Sequence, residues 1–130
     1  MVKLSIIISI YNCEKYINEC LQSVCEQNMK EIQIICIDDC SQDDSLQKTR
    51  KFAQKYNFVE IYENEKNIGL GATRNRGIQY ALGKYVMFLD ADDYIEKNIL
   101  DKVILYAEEE NADILLFDML MFLDAGNESG

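Results

Sequence analysis

The chain has 130 residues, 48% hydrophobic and 28% charged, the balance of one globular domain with enough apolar content for its own core. A formal net charge of −10 excludes general binding to nucleic acid or anionic membrane, because so acidic a surface repels polyanions. Five cysteines without a C-x-x-C pair, and no histidine, exclude a zinc site and a secreted disulfide framework and leave reduced, buried thiols in a cytosolic protein.

The first apolar run, "LSIIISI", is only as long as a strand and meets Tyr11-Asn12 without a small-residue cleavage site. It therefore reads as a buried strand over residues 3–10, not as a signal peptide. No stretch reaches the ~18 apolar residues of a transmembrane helix. Residues 14–27 place Ile17, Cys20, Leu21 and Val24 at helical spacing. Residues 32–37 form a second buried strand. Residues 43–56 carry Leu46, Thr49, Ala53 and Tyr56 on one helical face, and Ser41 with Asp44 resembles a capping box at its start. A shorter strand follows over 58–62. A helix follows over 71–82, with Gly83 placed to end it. A strand over 84–89, an amphipathic helix over 98–110 and a strand over 113–119 complete the series, before a tail, "DAGNESG".

Strands alternating with helices predict an α/β fold: a doubly wound, mostly parallel sheet with helices on both faces, most simply in the order 3-2-1-4-5. Ligands of such sheets bind beyond the carboxyl ends of the strands, where the order reverses. Five carboxylates fall there: Asp38 and Asp39 after the second strand, and Asp90, Asp92 and Asp93 after the fourth. In an extended segment Asp90 and Asp92 point the same way and can share one divalent cation, Mg²⁺ or Mn²⁺ by the hardness of their oxygens. The competing reading is a solvated acidic loop that starts the next helix. "GLGATRNRG" begins like a dinucleotide fingerprint, but Arg74 stands where the third glycine belongs, and the stretch follows the third strand rather than the first. It reads either as a loop before a helix or as a basic helix start, with Arg74 and Arg76 offsetting the carboxylates or meeting a diphosphate. Tyr11 either packs at the sheet edge or stacks on a planar base, with Asp39 accepting from the base N–H.

Taken together, "SIIISIYN", "IDDCSQDDS", "NIGLGATRNRG" and "YVMFLDADD" occur in an order and spacing that resemble the glycosyltransferase family 2 signature, over about residues 4–94. The resemblance implies the nucleotide-sugar-binding part of a GT-A fold, with residues 1–130 as the donor domain. Asp90-Ala91-Asp92 would be the D-x-D motif, Asp92 on the metal and Asp90 at the ribose or beside the metal. Asp39 would read the uracil N–H of a UDP-sugar, or its equivalent in another nucleotide. Ser9 and Tyr11 would line the base pocket, and Arg74 would lie near the diphosphate or the pocket wall. The implied reaction is inverting transfer to an acceptor hydroxyl, on a saccharide or a lipid-linked acceptor at the inner face of the membrane.

Three departures stand out. Ser9 replaces the usual proline, and Cys40 replaces a usual glycine, which costs strain if that turn needs a positive φ. The chain is also short for the family, so it is expected to be an N-terminal piece whose general base lies beyond residue 130. Two alternatives compete with the enzyme reading. A phospho-receiver domain would need an acidic pair after the first strand and a lysine after the fifth. A binding-only fragment would have lost its ligand.

Overall fold

The computed structural model describes residues 1–110 and 116–118. The elements run β1 (Leu4–Ile10), α1 (Ile17–Cys25), β2 (Ile32–Asp38), α2 (Ser45–Lys55), β3 (Val59–Glu63), α3 (Leu70–Tyr80), β4 (Tyr85–Asp90), α4 (Leu100–Glu109) and β5 (Leu116–Asp118). All strand pairings are parallel, and the order is β3-β2-β1-β4-β5, as the alternation predicts. Of the fifth predicted strand, residues 113–115 and 119 lie outside the described residues, as does the predicted tail.

Period-two alternation divides the strands between two cores. Leu4, Ile6, Ile8 and Ile10 join Ile34, Cys36, Met87 and Leu89 on one face. There they meet Ile17, Leu21 and Val24 of α1 and Leu100 and Ile104 of α4, with Phe52 and Ala53 of α2 packed alongside. Ile7, Ile35, Ile37 and Val86 face the other way, toward Tyr62, Tyr80 and Phe88. Because β1 and β2 are covered on both faces, they are continuous apolar runs, and each fully buried isoleucine contributes about 1.5–3 kcal/mol of transfer free energy.

Two local expectations are corrected. No side chain caps α2 in capping-box fashion. Ser41 Oγ instead accepts from Asn12 N (3.1 Å), and Asp43 accepts from Ser45 N (3.0 Å) and Glu14 N (3.2 Å). The polar residues before α2 therefore tie the β1–α1 loop to the β2–α2 loop. Burial favours the neutral form of Asp43, but the bonds from Ser45 and Glu14 outweigh it and hold the carboxyl below its ordinary range. Gly83 does not end α3, which stops at Tyr80 with Ala81 as its C-cap. A Cβ at Gly83 would lie 2.7 Å from Ser5 N and 2.9 Å from Leu4 C, so the glycine is needed for the close approach of this loop to β1. Gly83→Ala is expected to destabilise the chain by about 2 kcal/mol, because the nearest atoms belong to backbone that cannot yield. Urea unfolding would measure this, and an unchanged midpoint would refute the packing argument.

All five cysteines are free thiols, four of them buried. Burial pushes Cys13, Cys20 and Cys36 above the ordinary thiol range and Cys25 up to about 12. A thiol whose folded pKa is raised contributes stability below its unfolded value of ~8.5, and loses it as pH climbs toward the folded value. Unfolding free energy should therefore fall between pH 8.5 and 10.5, by up to ~1.4 kcal/mol per pH unit for each thiol that ionises only on unfolding. Urea titrations across that window would show it, and a flat profile would contradict the burial of these groups.

Candidate functional site

The site is built where β1 ends between its two neighbours. In the ladder, Ser9 is opposite Asp90 of β4, and Ile10 is opposite Asp38 of β2. The segments that follow these three strands therefore emerge side by side. Together with the start of α3 they enclose an open cleft of about 490 Å³. Ser9, Tyr11, Asp39, Asp90 and Asp92 all line it. Of the six residues to which the family resemblance gives a role, only Arg74 is not on its wall, and Arg74 is one contact away: its Nη2 donates to Asp90 Oδ1 at 2.9 Å.

The acidic corner forms by a route that an extended segment does not provide. β4 ends at Asp90, and Asp93 N donates to Asp90 O at 3.0 Å, closing a tight turn. The turn, not strand alternation, gathers the carboxylates and brings in Asp93 as a third. One carboxylate oxygen each from Asp90, Asp92 and Asp93 lies within 4.8 Å of the others. Asp90 and Asp92 are exposed and Asp93 is half-buried, so water or a ligand can complete a coordination shell. Hard oxygen donors at this spacing fit Mg²⁺ or Mn²⁺. The Arg74 guanidinium also sits 5.1 Å from the Phe88 ring centroid, which holds the cation beside the acidic corner.

Asp39 is 3% exposed, and its carboxylate is heavily used. Oδ1 accepts from Asn64 Nδ2 (3.0 Å) and Ile68 N (2.8 Å), and Oδ2 from Gly69 N (2.9 Å). A carboxylate offers about four lone-pair positions, so among the described residues one remains, on Oδ2. Asp38 also differs from expectation. It converges at the strand end, but its Oδ2 accepts from Ser41 N (3.2 Å) inside the turn, and it does not line the cleft. Its Oδ1 has no hydrogen-bond partner among the described residues.

The basic helix start is only half present. Arg74 and Arg76 are the fifth and seventh residues of α3, about 200° apart around its axis. Arg74 therefore turns to Asp90, while Arg76 turns to Glu63 O (2.9 Å) and Asn64 Oδ1 (2.6 Å), away from the cleft. Tyr11 is half-exposed at the cleft wall rather than packed into the sheet. Tyr16, Asn67, Gly69 and Leu70 also line the wall. Tyr16 lies in none of the quoted motifs, and Asn67, Gly69 and Leu70 lie in "NIGLGATRNRG" with no role read for them there. Gly69 alone carries a signal, a glycine before a helix, and its φ of +90° shows why it is one.

A scan against known families matches residues 5–129 to the description "Glycosyl transferase family 2". The chain belongs to that family. Poly(ribitol-phosphate) beta-N-acetylglucosaminyltransferase TarS of Staphylococcus aureus is 38% identical over 122 residues, 92% of this chain and 21% of that protein. A cholesterol galactosyltransferase of Borreliella burgdorferi is 35% identical over 125 residues, 96% of this chain and 35% of that one. The crystal structure of residues 1–349 of the staphylococcal TarS with UDP-GlcNAc superposes with a TM-score of 0.78 at 38% identity, covering 83% of this chain and 32% of that one. The architecture is thus the GT-A fold, and this chain spans about a fifth to a third of the length of these three proteins. The phospho-receiver alternative finds no support: β1 is followed by Tyr11-Asn12, with no acidic pair there.

Cys40 has φ +64°, so the position where the family resemblance implies a glycine does need a left-handed backbone. Its Sγ lies 3.1 Å from Asn64 O, a weak compensating contact. Cys40→Gly is expected to raise stability by about 1 kcal/mol through release of that strain. Thermal unfolding would check it, and a lowered melting temperature would mean that the thiol contact dominates.

Proposed function

We propose that this chain is the donor-binding part of a family 2 glycosyltransferase. It binds a nucleotide-diphosphate sugar, first of all a UDP-sugar, together with Mn²⁺ or Mg²⁺. The observation that carries the proposal is one cleft in which a three-carboxylate corner and a buried carboxylate with one free acceptor position face a half-exposed tyrosine. The first suits a metal–diphosphate, the second a base N–H, and the third a base face.

In this reading Asp92 and Asp90 hold the cation, with Asp93 beside them. When bound, the ion supplies positive charge against the diphosphate leaving group. Asp90, tied to Arg74, is proposed to sit at the ribose or beside the metal. Asp39 Oδ2 accepts one hydrogen bond from the base, Tyr11 stacks on it, and Ser9 lines the pocket between them. Arg74 limits repulsion within the acidic corner. Transfer with inversion further requires a carboxylate to take the proton of an acceptor hydroxyl as it attacks the anomeric carbon, and none of the described residues is assigned that role. The acceptor is proposed to be a saccharide or a lipid-linked glycan. TarS is named for a poly(ribitol-phosphate) acceptor and the Borreliella protein for cholesterol, so donor halves alike at this level accompany very different acceptors. Among the described residues no helix is long and apolar enough to cross a membrane. The proposed setting is the cytoplasm, at the inner face of the membrane when the acceptor is membrane-bound, a reading that the free thiols support.

Thermal unfolding with a panel of nucleoside diphosphates, each with and without Mn²⁺, tests the proposal. A ligand at 100 times its Kd should stabilise the folded state by ~2.7 kcal/mol. UDP is expected to do so only with Mn²⁺, and Asp92→Asn should abolish the shift. No shift with any nucleotide would leave a fragment that does not bind, and would sink the donor-site reading for this chain.

A further inference from the structure

Arg76 lies outside the cleft, yet its guanidinium is fixed from several directions. Nη1 donates to Glu63 O at 2.9 Å and to Asn64 Oδ1 at 2.6 Å, and Nη2 donates to the Tyr80 hydroxyl at 3.2 Å. The guanidinium carbon also lies 5.7 Å from the Tyr80 ring centroid. Tyr80 is itself held by stacking on Tyr62, centroids 3.7 Å apart and planes within 6°. The Arg76 fork is therefore clamped, not mobile on the surface.

Its target is a buried amide. Asn64 is 8% exposed, and its Nδ2 donates to Asp39 Oδ1 at 3.0 Å and to Thr73 Oγ1 at 3.1 Å. Arginine can only donate and an ionised carboxylate can only accept. Arg76 therefore fixes the oxygen end of the amide and Asp39 the nitrogen end. A single orientation of Asn64 satisfies both. The same Asp39 carboxylate receives Ile68 N and Gly69 N, so the orientation of the amide is coupled to the cleft wall.

We propose that Arg76 is a positioning residue for nucleobase recognition: it sets the Asn64 amide, and through it the one free acceptor position of Asp39. This rests on the reading above, that Asp39 accepts from the base. The chain Arg76–Asn64–Asp39 reaches the base end of the cleft and not the acidic corner, because the corner is served by Arg74. Losing Arg76 should thus weaken recognition of the base while sparing the metal–diphosphate contacts. Arg76→Lys keeps the charge but loses the fork that bridges Glu63 O, Asn64 and Tyr80, so it should fall between wild type and alanine.

The test compares wild type, Arg76→Ala, Arg76→Lys and Asp39→Asn. Titration calorimetry measures UDP with Mn²⁺ and inorganic pyrophosphate with Mn²⁺. Arg76→Ala is expected to weaken UDP about tenfold and to leave pyrophosphate within twofold. Added to Asp39→Asn, it should cause little further loss, because both changes break the same chain. Amide hydrogen exchange by NMR without nucleotide should show Ile68 and Gly69 exchanging several-fold faster in Arg76→Ala, with the β1 amides unchanged. Equal loss of UDP and pyrophosphate, additivity with Asp39→Asn, or uniform acceleration of all amides would overturn the proposal and make Arg76 merely structural. If alanine fails to fold, Arg76→Lys is read by the same criteria. A wild-type chain that binds neither ligand overturns the donor reading itself, a result distinct from a wild type that binds UDP with an Arg76 variant that binds it equally well.

Discussion

β1 is hydrogen-bonded to a parallel neighbour on each side along nearly its whole length, and that constraint organises everything else. A parallel strand needs a crossover to reach the next one, so β2 and β4 must each arrive with their carboxyl ends beside that of β1. The order then reverses at β1, and the segments leaving β1, β2 and β4 have no neighbour strand to continue into. They part around a cleft. The polar residues at those ends are thus brought together by backbone pairing, before any of them contacts another. The ladder that places Ser9 against Asp90 and Ile10 against Asp38 has no slack, because a one-residue slip would turn Ile7 and Ile8 to the wrong faces of the sheet.

The cleft has two ends with different chemistry, and each has its own arginine. At the acidic corner, three carboxylates on one turn repel each other, and Arg74 partly offsets that repulsion from α3. The pair is substantially exposed, so its contribution to stability is small, of order 0–1 kcal/mol, and its effect is on the shape and charge of the corner. At the other end, Asp39 is buried and would be costly to leave without donors. It obtains them from the backbone of Ile68 and Gly69 and from Asn64, whose amide is held by Arg76. The satisfaction of one buried carboxylate therefore fixes the loop that forms the opposite wall.

One matched stretch in relatives named for different acceptors fits this division. Every residue implicated in the cleft belongs to a strand end, a following loop or α3, and all of them come from the stretch matched to the family. The relatives are three to five times longer than the part they share with this chain, so what distinguishes a ribitol-phosphate polymer from cholesterol has ample room outside it.

The sequence by itself determined the alternation of elements, the parallel order and the identity of five cleft residues, because hydrophobic period and strand-end position are local properties of the chain. It also marked Cys40 as a strained substitution once the motif around it was recognised, and the φ of +64° bears that out. What only the tertiary structure decided are the partnerships. Gly83 looked like a helix stop, but is small because β1 passes within 3 Å of where its Cβ would be. Ser41 and Asp44 looked like a cap, but Ser41 Oγ receives the Asn12 amide from another loop. Asp38 and Asp39 are adjacent and chemically identical, yet one is folded into a turn and the other faces the cleft. Arg74 and Arg76 are two residues apart, and helical rotation sends one to the acidic corner and the other to Asn64. In each case the local pattern names a residue that can make several bonds, and only the neighbours supplied by packing select which one forms.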